Sequence, residues 1–299
     1  MRTMNFKPLL SATLEHSLIQ HLNYPLIGSP KLDGIRCIIH GGQAVSRNLK
    51  PFRNQHVQDC LHNLPEGLDG ELIVGEPNVG NVLNRTFSGV MSESGKPDFI
   101  FWVFDKYNET GTFESRLDRL SFHTNSFEHA KVVTHNHIRS PAELTSFEEL
   151  ALKDGYEGIM LRDPRGRYKF GRSTLSEAIL MKLKRFTDGE CTVVAIREGM
   201  TNLNEQTMNA LGYMERSKHV SNMAPSGQVG TIIGRDCATG ETYDVSPGRM
   251  TQDMRIYYLN HPGELIGKII KHKSFDYGAV NTARFRTFQA FRDEGDMAT

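Results

Sequence analysis

The chain reads as an α+β protein of two parts, a mixed α/β domain followed by a small β-barrel, and three observations predict this. At 299 residues it is about the size at which single cores tend to split. Up to about residue 183 helix-period and strand-period segments alternate, whereas after Phe186-Thr187-Asp188-Gly189 only short β runs separated by turn residues follow. The boundary is placed near Thr187, giving residues 1–187 and 188–299. The apolar and charged fractions, 38% and 23%, are those of ordinary globular proteins and exclude a chain disordered throughout.

Leu10, Leu14, Leu18 and Leu22 recur every four residues, which predicts a short amphipathic helix over 9–22, closed by Pro25 and Gly28. Residues 26–40 read as two strands around Lys31 to Arg36, and Gly41-Gly42 as a hairpin turn into a strand through Val45. Residues 68–74 and 99–104 are further strands, the second apolar enough to be buried on both faces. Residues 113–122 look helical. The clearest helix is 141–152: Ser140 caps it, Pro141 suits its first turn, Glu143 completes a capping box and Gly155 stops it. Its buried stripe is expected at Leu144, Phe147, Leu150 and Ala151. Strands at 158–161 and 178–183 finish the first domain. The barrel is expected from 191–196, 230–233, 241–245 and 266–272, a spacing that suits an OB-like fold.

Cys37, Cys60, Cys191 and Cys237 are scattered without CxxC or zinc-type spacing, which points to a reducing compartment rather than a disulfide scaffold. With no signal-like run and no membrane-length segment, the expectation is a cytoplasmic protein without a membrane partner. His135-Asn136-His137 stands in surroundings that support no metal assignment. Net charge is zero, so any polyanion must be met locally. Between Arg162 and Arg185 eight basic residues face two acidic ones, and a second basic cluster, Lys268 to Arg286, interleaves with Phe275, Tyr277, Phe285 and Phe288. Either cluster suits a phosphate backbone, and either could also be a solvated face.

Lys31-Leu32-Asp33-Gly34-Ile35-Arg36 carries the chemistry. A lysine between strands, with a glycine three residues on and an arginine two beyond that, suits a nucleophile facing a nucleotide phosphate. A lysine nucleophile must shed its proton, which neighbouring cations or desolvation promote, and Lys182 and Lys184 can supply that field. These two alternate with Met181 and Leu183 along a strand, so they share one face, and an anionic ligand accounts for two like charges placed together.

Ser46-Arg47-Asn48, Asp69-Gly70-Glu71-Leu72, Phe101 to Asp105, Glu157 to Leu161 and Met181 to Lys184 follow Lys31 in order. This ordered set resembles the motifs of the covalent nucleotidyltransferase superfamily and, within it, the short ATP-dependent DNA ligases of phage, viral and bacterial type, over nearly the whole chain. The resemblance implies an N-terminal adenylation domain, a C-terminal OB-fold domain that closes over nucleotide or DNA, and a monomer that seals 3′-OH/5′-phosphate nicks in double-stranded DNA.

By the same resemblance Lys31 is the adenylated nucleophile, and ATP is the AMP donor, with Mg²⁺ or Mn²⁺ as metal. Ser29, Leu32, Arg36, Glu71, Phe104, Lys182 and Lys184 would line the nucleotide, Phe104 stacking on the base, while Glu71 and Glu157 would hold the metal. Arg47 is expected on the 5′-phosphate of the nick, and Arg172, Arg216, Lys218, Arg284 and Arg292 on DNA. Ser29 stands where larger ligases carry a glutamate that recognises adenine, and Arg286 where relatives often carry proline. An RNA ligase, a GTP-using capping enzyme and a catalytically silent nucleic-acid-binding OB protein remain the alternative readings.

Overall fold

The computed structural model describes residues 6–209, 211, 213–275 and 284–292. The chain divides into two compact units, residues 1–185 with 209–213, and residues 186–208 with 214–299.

The first unit opens with β1 (Ala12–Leu14) and a 3-10 turn, His16–His21. Then come β2 (Leu26–Pro30), β3 (Ile35–His40), β4 (Gln43–Ser46), α1 (Gln55–Leu61), β5 (Leu68–Val74), α2 (Val82–Val90), β6 (Phe99–Lys106) and α3 (Phe113–Thr124). It closes with β7 (Ala130–Val132), β8 (Asn136–Ile138), α4 (Pro141–Lys153), β9 (Ile159–Arg162) and β10 (Leu180–Leu183).

These strands form two five-stranded sheets, ordered β1-β10-β9-β2-β8 and β4-β3-β5-β6-β7. Each sheet buries one face in its own core. Leu68, Leu72, Phe99, Phe101 and Val103 pack with Val57 and Leu61 of α1 and Leu120 of α3, and Leu26, Ile159, Leu161, Met181 and Leu183 pack with Leu144 and Ala151 of α4. The apolar run of β6 is therefore buried on one face only: Phe99, Phe101 and Val103 face the core, and Ile100, Trp102 and Phe104 alternate onto the other face.

The predicted helix over 9–22 is replaced by strand β1 in its first half and by the short 3-10 helix His16–His21 in its second. Ala12 and Leu14 are buried on either side of an exposed Thr13, and β1 pairs in parallel with β10, placing Thr13 opposite Lys182. A long-range pairing overrode a local four-residue repeat. Helix α4 forms as expected: Ser140 Oγ accepts from Glu143 N–H at 3.2 Å, the Glu143 carboxylate accepts from Arg139 N–H at 2.8 Å, and Gly155 takes φ +91°. Its inward stripe is Leu144, Glu148 and Ala151, whereas Leu150 is 58% exposed. Glu148 takes the inward place because its carboxylate accepts from Arg185 at 3.1 Å and pairs with His16 at 2.8 Å. Ala178 lies outside β10, with φ +51°.

The second unit contains β11 (Thr187–Asn202), the hairpin β12 (Gln206–Met208) and β13 (Met214–Arg216), β14 (Met223–Asp236), β15 (Thr242–Val245), α5 (Gln252–Asn260), β16 (Ile269–Phe275) and β17 (Arg284–Phe291). Its sheet runs β15-β14-β11-β16-β17. Just past β15, Ser246 bridges to Thr287 of β17, donating to Arg286 O and accepting from Phe288 N–H, both at 2.9 Å. This bridge brings the two edge strands together around a core of Cys191, Val193, Val229, Ile232, Val245, Ile270 and Phe288, an OB-fold arrangement. Helix α5, absent from the expectation, starts at a Thr251 cap and packs Met254, Tyr258 and Leu259 on that core. Among the described residues no helix is long and apolar enough to cross a membrane.

Candidate active site

A cavity of about 260 Å³ opens between the two sheets of the first unit. Lys31 sits at its rim, in the short connection from β2 to β3, with its backbone N–H donating to Gly158 O at 2.9 Å. Gly34 is required in that connection, since a Cβ there would lie 2.2 Å from Leu72 O. The Lys31 ammonium donates to the buried Glu157 carboxylate and to Leu32 O at 3.4 Å, and Lys184 reaches the other Glu157 oxygen at 3.2 Å. Burial opposes ionisation of Glu157, but the two lysines override it and hold its pKa below the ordinary carboxylate value. Lys182 is pushed down by burial and by the neighbouring charges of Lys184, Lys31 and Arg172. The cationic field expected around Lys31 is thus present, with Glu157 set inside it as a counter-charge.

Two buried aspartates hold the arginines around the cavity. Asp69 of β5 accepts from Arg36 Nε and Nη2 at 2.5 and 2.6 Å and from Tyr168 Oη at 2.6 Å. Burial works against the Arg36 charge, yet Asp69 more than compensates and raises its pKa. Asp105 of β6 accepts from Arg116 Nε and Nη2 at 2.7 and 3.1 Å and from Arg162 Nη1 at 2.7 Å. Because Arg162 belongs to β9, this last pair ties the two sheets together at the cavity. The Arg36 and Arg162 guanidiniums lie 4.8 and 5.6 Å from the centre of the Phe104 ring. Burial, with Asp33 and Asp69 adding, pushes Glu71 up to about 7 against the pull of Arg36 and Lys31.

Ser29, Lys31, Leu32, Arg36, Arg47, Glu71, Phe104, Arg172 and Lys182 all line this one cavity, and Glu157 and Lys184 stand beside Lys31. The remaining candidates belong to the second unit. Arg216 donates to Asn204 O, Lys218 is exposed, Arg292 pairs with Glu190, and the Arg284 side chain lies outside the described residues. Sequence reasoning missed Asp69, Asp105, Arg116, Arg162 and Tyr168. Two of them carried a signal: Asp69 shares a strand face with Glu71, and Asp105 follows Phe104 at the end of an apolar run. His135, pushed down to about 4 by burial and by Arg162, donates from Nδ1 to the Val133 carbonyl 2.7 Å away. Among the described residues no three His, Cys, Asp or Glu side chains converge on a point that could hold a metal ion.

Comparison with known proteins agrees with this arrangement. The family model described as the ATP-dependent DNA ligase domain matches residues 8–184. Among solved structures, the DNA ligase-adenylate of Chlorella virus is 29% identical, with 96% of this chain and 99% of that one covered and a TM-score of 0.53. A Lig E DNA ligase is 24% identical, with 96% and 99% covered, and shares the fold at a TM-score of 0.71. Among curated proteins no sequence matches. The family model covers more than half of the chain, including every residue of the cavity, and the chain belongs to the ATP-dependent DNA ligase family.

Proposed function

We propose that this ligase acts as a monomer and seals 3′-OH/5′-phosphate nicks in duplex DNA through AMP carried on Lys31. The observation that supports this most directly is the Lys31 ammonium at the rim of a cavity lined by Phe104, Glu71 and five further cations, Arg36, Arg47, Arg162, Arg172 and Lys182. A purine nucleotide meets an aromatic ring there at one end and positive charge around its phosphates.

In the first step Lys31 loses its proton and its amine attacks the α-phosphorus of ATP. The new N–P bond replaces the P–O bond to pyrophosphate, which leaves. AMP then passes to the 5′-phosphate of the nick, and the 3′-hydroxyl displaces it to form the phosphodiester. Lys182 is suited to the α-phosphate oxygens because it lines the cavity with Lys31. Arg47 and Arg172, exposed at the same cavity, are suited to the nick phosphate. In the second unit, Arg216, Lys218, Arg284 and Arg292 are assigned to DNA.

Glu157 and Glu71 are the carboxylates that would hold Mg²⁺ or Mn²⁺. Both carboxylates interact with Lys31, and such a small carboxylate set fits an ion that takes its other ligands from phosphate and water, which is how Mg²⁺ is usually bound. When bound, the metal would neutralise charge on the α-phosphate oxygens. Glu157 has room for that role once Lys31 gives up its proton, because the neutral amine, and the phosphoramidate nitrogen that follows it, releases one carboxylate oxygen.

Incubation with metal and α-labelled ATP, GTP or NAD in parallel tests the reading. The expected result is denaturation-resistant label from ATP, absent in Lys31→Ala and discharged by nicked DNA as the strands join. Label from GTP would indicate a capping-type enzyme, and label from no donor would leave a DNA-binding protein.

A further inference from the structure

Arg116 and Arg162 share Asp105, but they spend their hydrogen-bond donors differently. Arg116 uses Nε and Nη2 on Asp105 and Nη1 on the carbonyls of Gly111 and Gly166, at 2.9 and 3.3 Å, and is 1% exposed. Its guanidinium is saturated by protein. Arg162, 5% exposed, makes one such bond, Nη1 to Asp105, and otherwise packs beside the rings of Phe113 and Phe104, 4.4 and 5.6 Å from their centres. A guanidinium carries five N–H groups, and those of Arg162 that Asp105 leaves unused are not sealed in the protein interior but belong to a side chain that lines a cavity. Unlike Arg116, Arg162 lines the nucleotide cavity. Its strand neighbours fix it on the cavity side, since Arg162 and Met160, two residues apart on β9, both line the cavity, and Ser29 is the register partner of Met160.

We propose that Arg162 is a base-binding residue of the nucleotide pocket, donating from the guanidinium edge not used by Asp105 to a ring-nitrogen acceptor of the adenine base. The inference rests on the assignment of this cavity to ATP. It supplies a charged contact to the base in a pocket where Ser29 offers only a neutral one, and Asp105 is the positioning residue that aims it.

The test measures KM and kcat for label transfer to Lys31 with ATP and with its 1-deaza, 3-deaza and 7-deaza analogues, in wild type, Arg162→Met and Arg162→Lys. Arg162→Met is expected to raise KM for ATP about tenfold, with kcat within about threefold, as loss of one hydrogen bond from a charged donor predicts. Wild type should lose a comparable factor on one deaza analogue, and Arg162→Met should lose nothing further on that analogue. Arg162→Lys should fall between the two. A purely structural role would lower kcat and the amount of folded enzyme without making any analogue silent. Unchanged KM in both variants, or equal sensitivity of variants and wild type to all three analogues, overturns the proposal while the ATP assignment stands. If wild type takes no label from ATP, the assignment falls and this inference falls with it.

Discussion

The Lys31 ammonium rests on the Glu157 carboxylate, and the same carboxylate holds Lys184 3.2 Å away on its other oxygen. One buried anion therefore serves two cations, of which one is the nucleophile. The pair fixes where the amine lies before nucleotide binds, and it keeps two ammoniums from facing each other across a partly dehydrated cleft.

Removing that charge is expected to cost both stability and activity. In Glu157→Gln the carboxamide offers one weaker acceptor to two lysines whose side chains are about four-fifths buried. Unfolding in urea should show a loss on the order of 1–3 kcal/mol. Label transfer to Lys31 should fall at least 100-fold, a loss far larger than the remaining folded fraction would explain. Retention of wild-type labelling in folded Glu157→Gln would remove Glu157 from the mechanism.

Asp105→Asn is expected to be the more damaging substitution for folding. It would leave Arg116 and Arg162, 1% and 5% exposed, without their shared counter-charge. Burial opposes ionisation of Asp105, yet the two arginines hold its pKa below the ordinary value, so the charge is present throughout the neutral range. Stranding two buried cations should cost about 3–5 kcal/mol, or roughly 10 °C in Tm for a domain of this size. Thermal unfolding of Asp105→Asn and of the double variant Asp105→Asn/Arg162→Met checks the cause, because removing Arg162 as well should recover part of the loss.

How much of this was legible in the sequence follows the range of the interactions. Helix α4 could be read from Ser140, Pro141, Glu143 and Gly155, because capping and helix termination act within one turn. The β2–β3 connection could be read from Lys31 to Arg36 with Gly41-Gly42 beyond it, because a tight turn has its own residue preferences. Within the cavity lining, Lys31 and Lys182 could be argued from their own surroundings, whereas the rest, from Ser29 to Arg172, was legible only through the order of six motifs. Strand β1 was hidden because its partner, β10, lies about 170 residues away, and nothing local distinguishes Ala12-Thr13-Leu14 from a helical turn. Asp69 and Asp105 stood inside two of those motifs, but their role was hidden for the same reason, since it becomes distinctive only when arginines from other strands and helices arrive. Leu150 was misplaced because Glu148, an ion-pair partner for Arg185, claimed the buried face.

Glu71 should impose a pH dependence on the fold. Its folded pKa of about 7 lies above the ordinary 4.5, so the native state binds more protons than the unfolded chain between those values. Its contribution to stability is then fully present below about 4.5 and is lost as pH rises through about 7, by at most roughly 3 kcal/mol. Urea unfolding from pH 5 to pH 8 should show this decline in wild type and a flatter profile in Glu71→Gln. If Glu71 accepts a hydrogen bond from the nucleotide sugar, KM for ATP in label transfer should fall as pH passes 7, and that inflection should be missing in Glu71→Gln. Identical profiles for the two proteins would mean that Glu71 is already ionised at pH 5 or that it does not touch the nucleotide.

Gly158 links the backbone to the nucleophile and offers the sharpest test of the geometry. It has φ +153°, its carbonyl accepts from Lys31 N–H at 2.9 Å, and a Cβ on it would lie 2.3 Å from Leu183 O and 3.1 Å from Lys184 Cα. Gly158→Ala must therefore push β10 away from the start of β9, at the point where Glu157, Lys31 and Lys184 meet. The backbone strain and the displaced strand together should cost about 1–3 kcal/mol. Because Glu157 and Lys184 flank the two clashing positions, the Glu157–Lys184 contact of 3.2 Å should lengthen and label transfer to Lys31 should fall more than tenfold at full folding. A Gly158→Ala protein that folds, labels normally and keeps the 3.2 Å contact in a crystal structure would show that β9 and β10 can separate without disturbing the nucleophile, and that Gly158 serves the strand turn alone.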